Sequence, residues 1–118
     1  MTVQVKRVRE ARADGDGTRV LVDRLWPRGL AKTDADHDQW LRDVAPSGEL
    51  RKWFSHDPAK YDEFARRYRA ELEVEPAVSA LTSLRDTAGP LTLLTATKDV
   101  DHSHARVLAE VLSTAGST

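Results

Sequence analysis

Leu21-Val22-Asp23-Arg24-Leu25-Trp26-Pro27-Arg28-Gly29-Leu30 is the stretch whose reading decides the fold. A short run of β-formers, residues 20–22, passes directly into an acid, a base, a tryptophan, a proline and a second base. An apolar strand therefore ends in a polar loop stiffened by proline, and α/β folds place their binding groups in loops of this kind.

On the N-terminal side, residues 3–8 alternate Val3 and Val5 with Gln4 and Lys6, which predicts a strand. Residues 10–18 are polar and carry Asp14-Gly15 and Asp16-Gly17, so they form a turn or loop. Two arrangements fit. The Asp-Gly pairs favour a hairpin, with residues 3–8 and 19–22 antiparallel, because a parallel return normally takes a crossover of about a dozen residues.

On the C-terminal side the helical period takes over. Thr33 or Asp34 is placed to cap a short helix with His37, Trp40, Leu41 and Val44 on one face, stopped by Pro46. Ser47 caps the next helix, with Leu50, Trp53 and Phe54 facing inward. Asp57-Pro58 is a helix start that leads into the clearest amphipathic pattern, Tyr61, Phe64, Ala65, Tyr68 and Leu72. Pro76 opens a further helix with Ala77, Ala80, Leu81 and Leu84 inward, and Gly89-Pro90 closes it. Residues 91–95 are an apolar run bounded by breakers, a buried strand. Val107, Leu108, Val111, Leu112 and Ala115 mark the last helix, and residues 116–118 a frayed end. Strands at both ends with helices between predict a single α/β domain over residues 1–118, a small, mainly parallel open sheet flanked by helices.

Composition narrows the function classes. The 118 residues carry 18 Lys and Arg against 19 Asp and Glu, a formal charge of -1, so no global field draws in nucleic acid or an anionic membrane. Without cysteine there is no disulfide, thiolate metal site or thiol nucleophile. No run approaches the roughly 18 apolar residues of a membrane span, and the N-terminus lacks a signal-peptide pattern, which together read as a cytoplasmic protein. No cofactor motif is present, and nothing in the pattern speaks to oligomeric state.

Two polar clusters, residues 23–28 and 97–104, begin where predicted strands stop, so they share one edge of the sheet if those strands are parallel. Arg24 and Arg28 offer planar forks for carboxylate or phosphate, and Lys98 adds a point charge near the last helix. With Trp26 they form the candidate ligand-binding set. Asp23, Asp99, His102 and His104 are the candidate acid and base groups, since an unperturbed imidazole titrates near pH 6.5. Each has a plainer reading: a structural ion pair for the charges, a packed lid for Trp26-Pro27, an N-cap for Asp99 or Asp101. His102 and His104 lie two apart, unlike the i, i+4 pair of a helical zinc site, so no metal is expected. Arg66, Arg67 and Arg69 read as a solvated face, because Asp62 to Arg66 and Glu63 to Arg67 are i, i+4 pairs. The residues thus point to a small anionic ligand, with or without acid/base chemistry. The alternative is a non-catalytic protein- or nucleic-acid-binding module anchored by the Trp26-Pro27 loop, with nucleic acid disfavoured by the charge balance.

The block Arg19-Val20-Leu21-Val22-Asp23-Arg24-Leu25-Trp26-Pro27-Arg28-Gly29-Leu30, with Val5-Lys6-Arg7-Val8, Ala45-Pro46-Ser47, Glu49-Leu50-Arg51-Lys52-Trp53-Phe54, His56-Asp57-Pro58, Arg67-Tyr68, Lys98-Asp99, His102 and His104, resembles the bacterial domain-of-unknown-function family 488 in its short YeaO-like branch. The resemblance covers nearly the whole chain and implies no particular activity. Longer relatives place a full helix between the first two strands, which implies a parallel pair here with a shortened crossover and replaces the hairpin reading. In those relatives a cysteine-containing pattern occupies residues 95–105. Thr95 and Ser103 stand in its place, which takes a thiol out of any mechanism, and both residues also depart from the aromatic and Asn usual in the short branch.

Overall fold

The computed structural model describes residues 2–115; Met1, residues 116–118, the expected frayed end, and the side chains of Thr114 and Ala115 lie outside what is described. Four parallel strands form one sheet: β1 (Val3–Arg7), β2 (Thr18–Leu21), β3 (Gln39–Trp40) and β4 (Leu91–Thr95), in the spatial order β1-β4-β2-β3. The helices are α1 (Gly48–Phe54), α2 (Tyr61–Glu71), α3 (Ala77–Arg85) and α4 (His104–Ala115).

The hairpin expectation is overturned. β1 and β2 are parallel, as the resemblance implied, but they are not neighbours, because β4 lies between them and bonds to both. The loop of residues 8–17 crosses over β4 rather than turning back. Its Asp-Gly pair serves this crossing: Gly17 adopts φ +63° where a Cβ would overlap the Pro90 carbonyl, the same oxygen that accepts the Thr18 N–H at 3.0 Å.

The predicted helix over residues 33–44 is also absent. Short 3-10 turns at Lys32–Asp34 and Arg42–Val44 bracket β3 instead. The backbone there extends along the open edge of β2, where Asp38 N and Leu41 N donate to the carbonyls of Arg19 and Leu21, each at 2.8 Å. Sheet pairing overrides a weak helical period in a segment rich in aspartate, a poor helix former.

Elsewhere the sequence signals hold. Ser47 caps α1 by accepting from Leu50 N at 3.2 Å, and its hydroxyl donates to Glu71 Oε2 at 2.6 Å. Asp57 caps a 3-10 turn that runs into α2. Leu50, Phe54, Phe64, Tyr68, Leu72, Leu81, Leu84, Leu108 and Leu112 pack with Val20, Leu91 and Leu93, so all four helices cover one face of the sheet. The Tyr68 hydroxyl, inside this core, donates to the Val44 carbonyl.

Among the described residues, no α-helix covers the other face. Strand register divides that face into two rows. Gln4, Thr92 and Arg19 lie across from one another near the amino ends of the strands, and Lys6, Leu94, Leu21 and Trp40 follow one pleat further on. Leu94, Leu21 and Trp40 of the second row, with Val8, Leu30, Ala35 and Trp26, form a small apolar cluster under the loop of residues 23–38. Leu21 and Val22 are fully buried, and the loop leaves from the carboxyl end of β2 beside β4, as expected.

Candidate functional site

Because β1, β4 and β2 are parallel neighbours, the segments that follow them emerge at one edge of the sheet. There they enclose an open cleft of about 280 Å³ lined by Arg7, Val8, Arg9, Pro27, Arg28, Thr95, Ala96 and Lys98. Four of the eight are cations, and all four are exposed. Among the described residues, none of the four makes an ion pair, and neither a carboxylate nor an aromatic ring lines the cleft. Arg9 Nη2 donates to the Arg28 carbonyl at 3.1 Å, fixing the loop of residues 24–30 against the end of β1. Glu10, next to Arg9 in sequence, turns back to accept the Arg7 backbone N–H at 2.6 Å.

Beside the cleft, Asp23 ties three elements together. Its carboxylate accepts from Thr95 Oγ1 and from Ala96 N, both at 2.8 Å, and lies 3.2 Å from His104 Nε2 at the start of α4. The same imidazole nitrogen is 3.0 Å from the Val22 carbonyl, so it is the protonated nitrogen of the ring. Burial alone would raise the Asp23 pKa. The hydrogen bond and charge of His104, the Ala96 N–H and Thr95 outweigh it and hold the carboxyl below its ordinary value. Thr95, where longer relatives are expected to carry cysteine, thus serves as a hydrogen-bond donor to an internal carboxylate.

Of the residues that follow β4, Lys98 lines the cleft, whereas Asp99 and His102 pair with each other outside its lining. Asp99 Oδ2 is 2.9 Å from His102 Nδ1, and the imidazole stands edge-on to Tyr61 at 5.2 Å, with both members of the pair well exposed. This pair and the Asp23–His104 pair are separate, so the four acid/base candidates fall into two dyads, and neither His102 nor His104 lines the cleft. Asp99 does stand at the N-cap of the 3-10 turn Val100–His102, as expected of Asp99 or Asp101, but without a side-chain cap bond; at the start of α4 the Ser103 hydroxyl accepts from Arg106 N at 3.3 Å.

Of the ligand-binding set, Arg28 and Lys98 meet in the cleft, and Arg24 and Trp26 do not line it. Arg24 Nε donates to the Pro46 carbonyl at 3.1 Å. The Trp26 indole is a lid: its N–H donates to the Leu30 carbonyl at 2.6 Å, and its ring stands edge-on to His37 and Trp40, each at 5.3 Å. Pro27, next to it, forms cleft wall. Arg7 and Arg9 are the cleft residues that sequence reasoning missed. Their signal was the strand β1 itself, since any parallel strand delivers its last residues to the same edge as Arg28 and Lys98.

A second polar cluster, also missed, lies at the opposite end of the helix-free face. Arg19 and Asp16 are fully buried and 2.7 Å apart. Arg19 also donates to the carbonyls of Asp36 at 2.6 Å and Glu10 at 2.8 Å, while Asp16 accepts from Lys6 at 2.8 Å and from Gln4 at 2.9 Å. Lys6, opposed by the cost of burial and helped by Arg19, holds the Asp16 carboxyl well below the usual carboxylate range. On the helical side, Glu63 binds Arg67 as expected and also takes Arg66, which pairs with it rather than with Asp62. Among the described residues, no group of three or more His, Asp or Glu is placed to hold a metal ion, and no helix is long and apolar enough to cross a membrane.

Fold and site together define a small parallel α/β protein with a cationic cleft at the carboxyl edge of its sheet. The family described as the inactive DUF488-N3 subclade matches residues 2–117, and the chain belongs to it. An uncharacterised protein of Mycobacterium bovis is 48% identical over 111 residues, covering 94% of this chain and 93% of that one. The uncharacterised protein YeaO of Escherichia coli K12 is 42% identical over 112 residues, 95% and 97% of the two chains. No solved structure matches.

Proposed function

We propose that this chain is a cytoplasmic, non-catalytic receptor for a small phosphate-like anion, bound in the cleft by Arg28 and Lys98 together with Arg7 and Arg9. The observation that carries this reading is the gathering of four cations around one cleft whose lining, among the described residues, holds no carboxylate. Like charges brought together cost free energy, and an anion bound among them offsets that cost. Guanidinium forks also match the paired oxygens of a phosphoryl group.

Acid/base chemistry has less support. Asp23 spends both oxygens on Thr95, Ala96 and His104, and the exposed Asp99–His102 dyad stands outside the cleft lining. The family's description as inactive agrees with a binding role. A protein-docking loop has less support still, because the indole of Trp26 is already committed to its own domain.

Thermal melts at fixed ionic strength test the proposal. Phosphate at ~100 times its dissociation constant is expected to stabilise the fold by roughly 2.7 kcal/mol over chloride. Arg28→Met should abolish most of that gain while leaving the ligand-free protein within about 0.5 kcal/mol of the parent. A destabilised Arg28→Met protein, with no phosphate-specific shift in the parent, would contradict it.

A further inference from the structure

Within that reading, on which this inference rests, the layout of the four cations specifies more than an anion. Arg7 and Arg9 come from the end of β1, Lys98 from the end of β4 and Arg28 from the loop after β2. Since β4 separates β1 from β2, the two strands that lead to Arg7 and to the loop of Arg28 lie two spacings apart, roughly 10 Å. A single tetrahedral phosphate placed against one rim leaves the other rim's charge unanswered. A chain of two linked phosphoryl groups reaches from rim to rim and presents enough negative charge for all four side chains. We therefore propose that the cleft is an oligophosphate site, whose ligand is recognised through a diphosphate unit bridging Arg7 on one side and Arg28 on the other, with Lys98 and Arg9, whose guanidinium reaches the Arg28 carbonyl, between them.

Two further features narrow the ligand. Among the described residues no aromatic side chain lines the cleft, so a nucleobase attached to the diphosphate finds no stacking surface. The ring nearest in sequence, Trp26, is turned into the lid. No carboxylate lines the cleft either, so it offers no protein ligand for the magnesium that usually accompanies oligophosphates. Direct neutralisation by arginine and lysine takes the metal's place, and magnesium that chelates the ligand competes with the protein for the same oxygens.

Isothermal titration of the intact protein with orthophosphate, pyrophosphate, AMP, ADP and a short single-stranded RNA, at one ionic strength and without magnesium, tests this. Pyrophosphate is expected to bind at least tenfold more tightly than orthophosphate, ADP within a few-fold of pyrophosphate, and AMP like orthophosphate. Excess magnesium should weaken pyrophosphate binding. Arg7→Met should bring pyrophosphate down towards orthophosphate while changing orthophosphate affinity far less, whereas Arg28→Met should weaken the binding of both. Equal affinity for orthophosphate and pyrophosphate would overturn the bridging site but leave the anion receptor standing. RNA bound more tightly than pyrophosphate would overturn it in favour of a polyanion track. No binding by any of these anions would overturn the receptor as well.

Discussion

The two ends of the helix-free face carry charge in opposite ways. At the amino end, Arg19 and Asp16 are fully buried, and every polar atom near them is answered: Lys6, Gln4, the Glu10 and Asp36 carbonyls. At the carboxyl end, Arg7, Arg9, Arg28 and Lys98 are exposed around a cleft and have no carboxylate partner among the described residues. Buried charge must be paired to be tolerated at all, so pairing marks structure. Clustered charge left without a counter-charge at a surface repels itself, and an external anion offsets that cost.

The sharpest way to break the comparison is at the buried end. Arg19→Met leaves Asp16 without its nearest guanidinium and strands two carbonyls, and is expected to cost about 3–5 kcal/mol. Urea denaturation measures it, and phosphate affinity in the surviving folded protein should be unchanged. A cost near zero would show that the network is not the staple holding residues 10–17 and 36–38 to the sheet.

Asp23 sharpens the comparison because it is paired and nearly buried yet stands at the cleft end. It should behave like the amino-end network, with Asp23→Asn destabilising by roughly 1–3 kcal/mol at neutral pH. The sign of its pH dependence follows from its lowered pKa. Stability from this carboxylate is fully present above the ordinary value near 3.9 and is lost as pH falls through the lower folded-state value. Parent and Asp23→Asn stabilities, measured from pH 7 downward, should therefore converge in acid. A gap that stays constant across that range would mean that the charge of Asp23 is not what matters. Arg28→Met, with almost no effect on the ligand-free fold, stands at the bottom of this order.

What could be seen in the sequence followed the reach of local signals. Alternating valines, the Ser47 and Asp57 caps and the Tyr61, Phe64, Tyr68, Leu72 stripe are local, and they formed the elements they encode. The partner of β1 was not legible, because Asp14-Gly15 and Asp16-Gly17 encode a bend and say nothing of β4, some seventy residues further on. Nor was the fate of residues 33–44, where the edge of β2 claimed a segment with a weak helical period. For the site, Arg28 and Lys98 were visible because each directly follows an apolar strand. Arg24 looked equivalent to Arg28 in sequence, but its side chain is drawn away by the Pro46 carbonyl, a contact across 22 positions that no periodicity announces. Arg19 escaped notice for the same reason: it sits inside a strand of valines and leucines, and only the register that places it opposite Thr92 explains it.

The most direct test of the contrast between the two ends is a phosphate titration followed residue by residue through backbone amide NMR shifts. The account predicts saturable shifts confined to Val8, Arg9, Arg28, Gly29, Ala96, Thr97 and Lys98, with the amides of Asp16, Arg19 and Asp38 unmoved. Shifts centred on residues 16–19 and 36–38, or scattered without saturation over the surface, would contradict it.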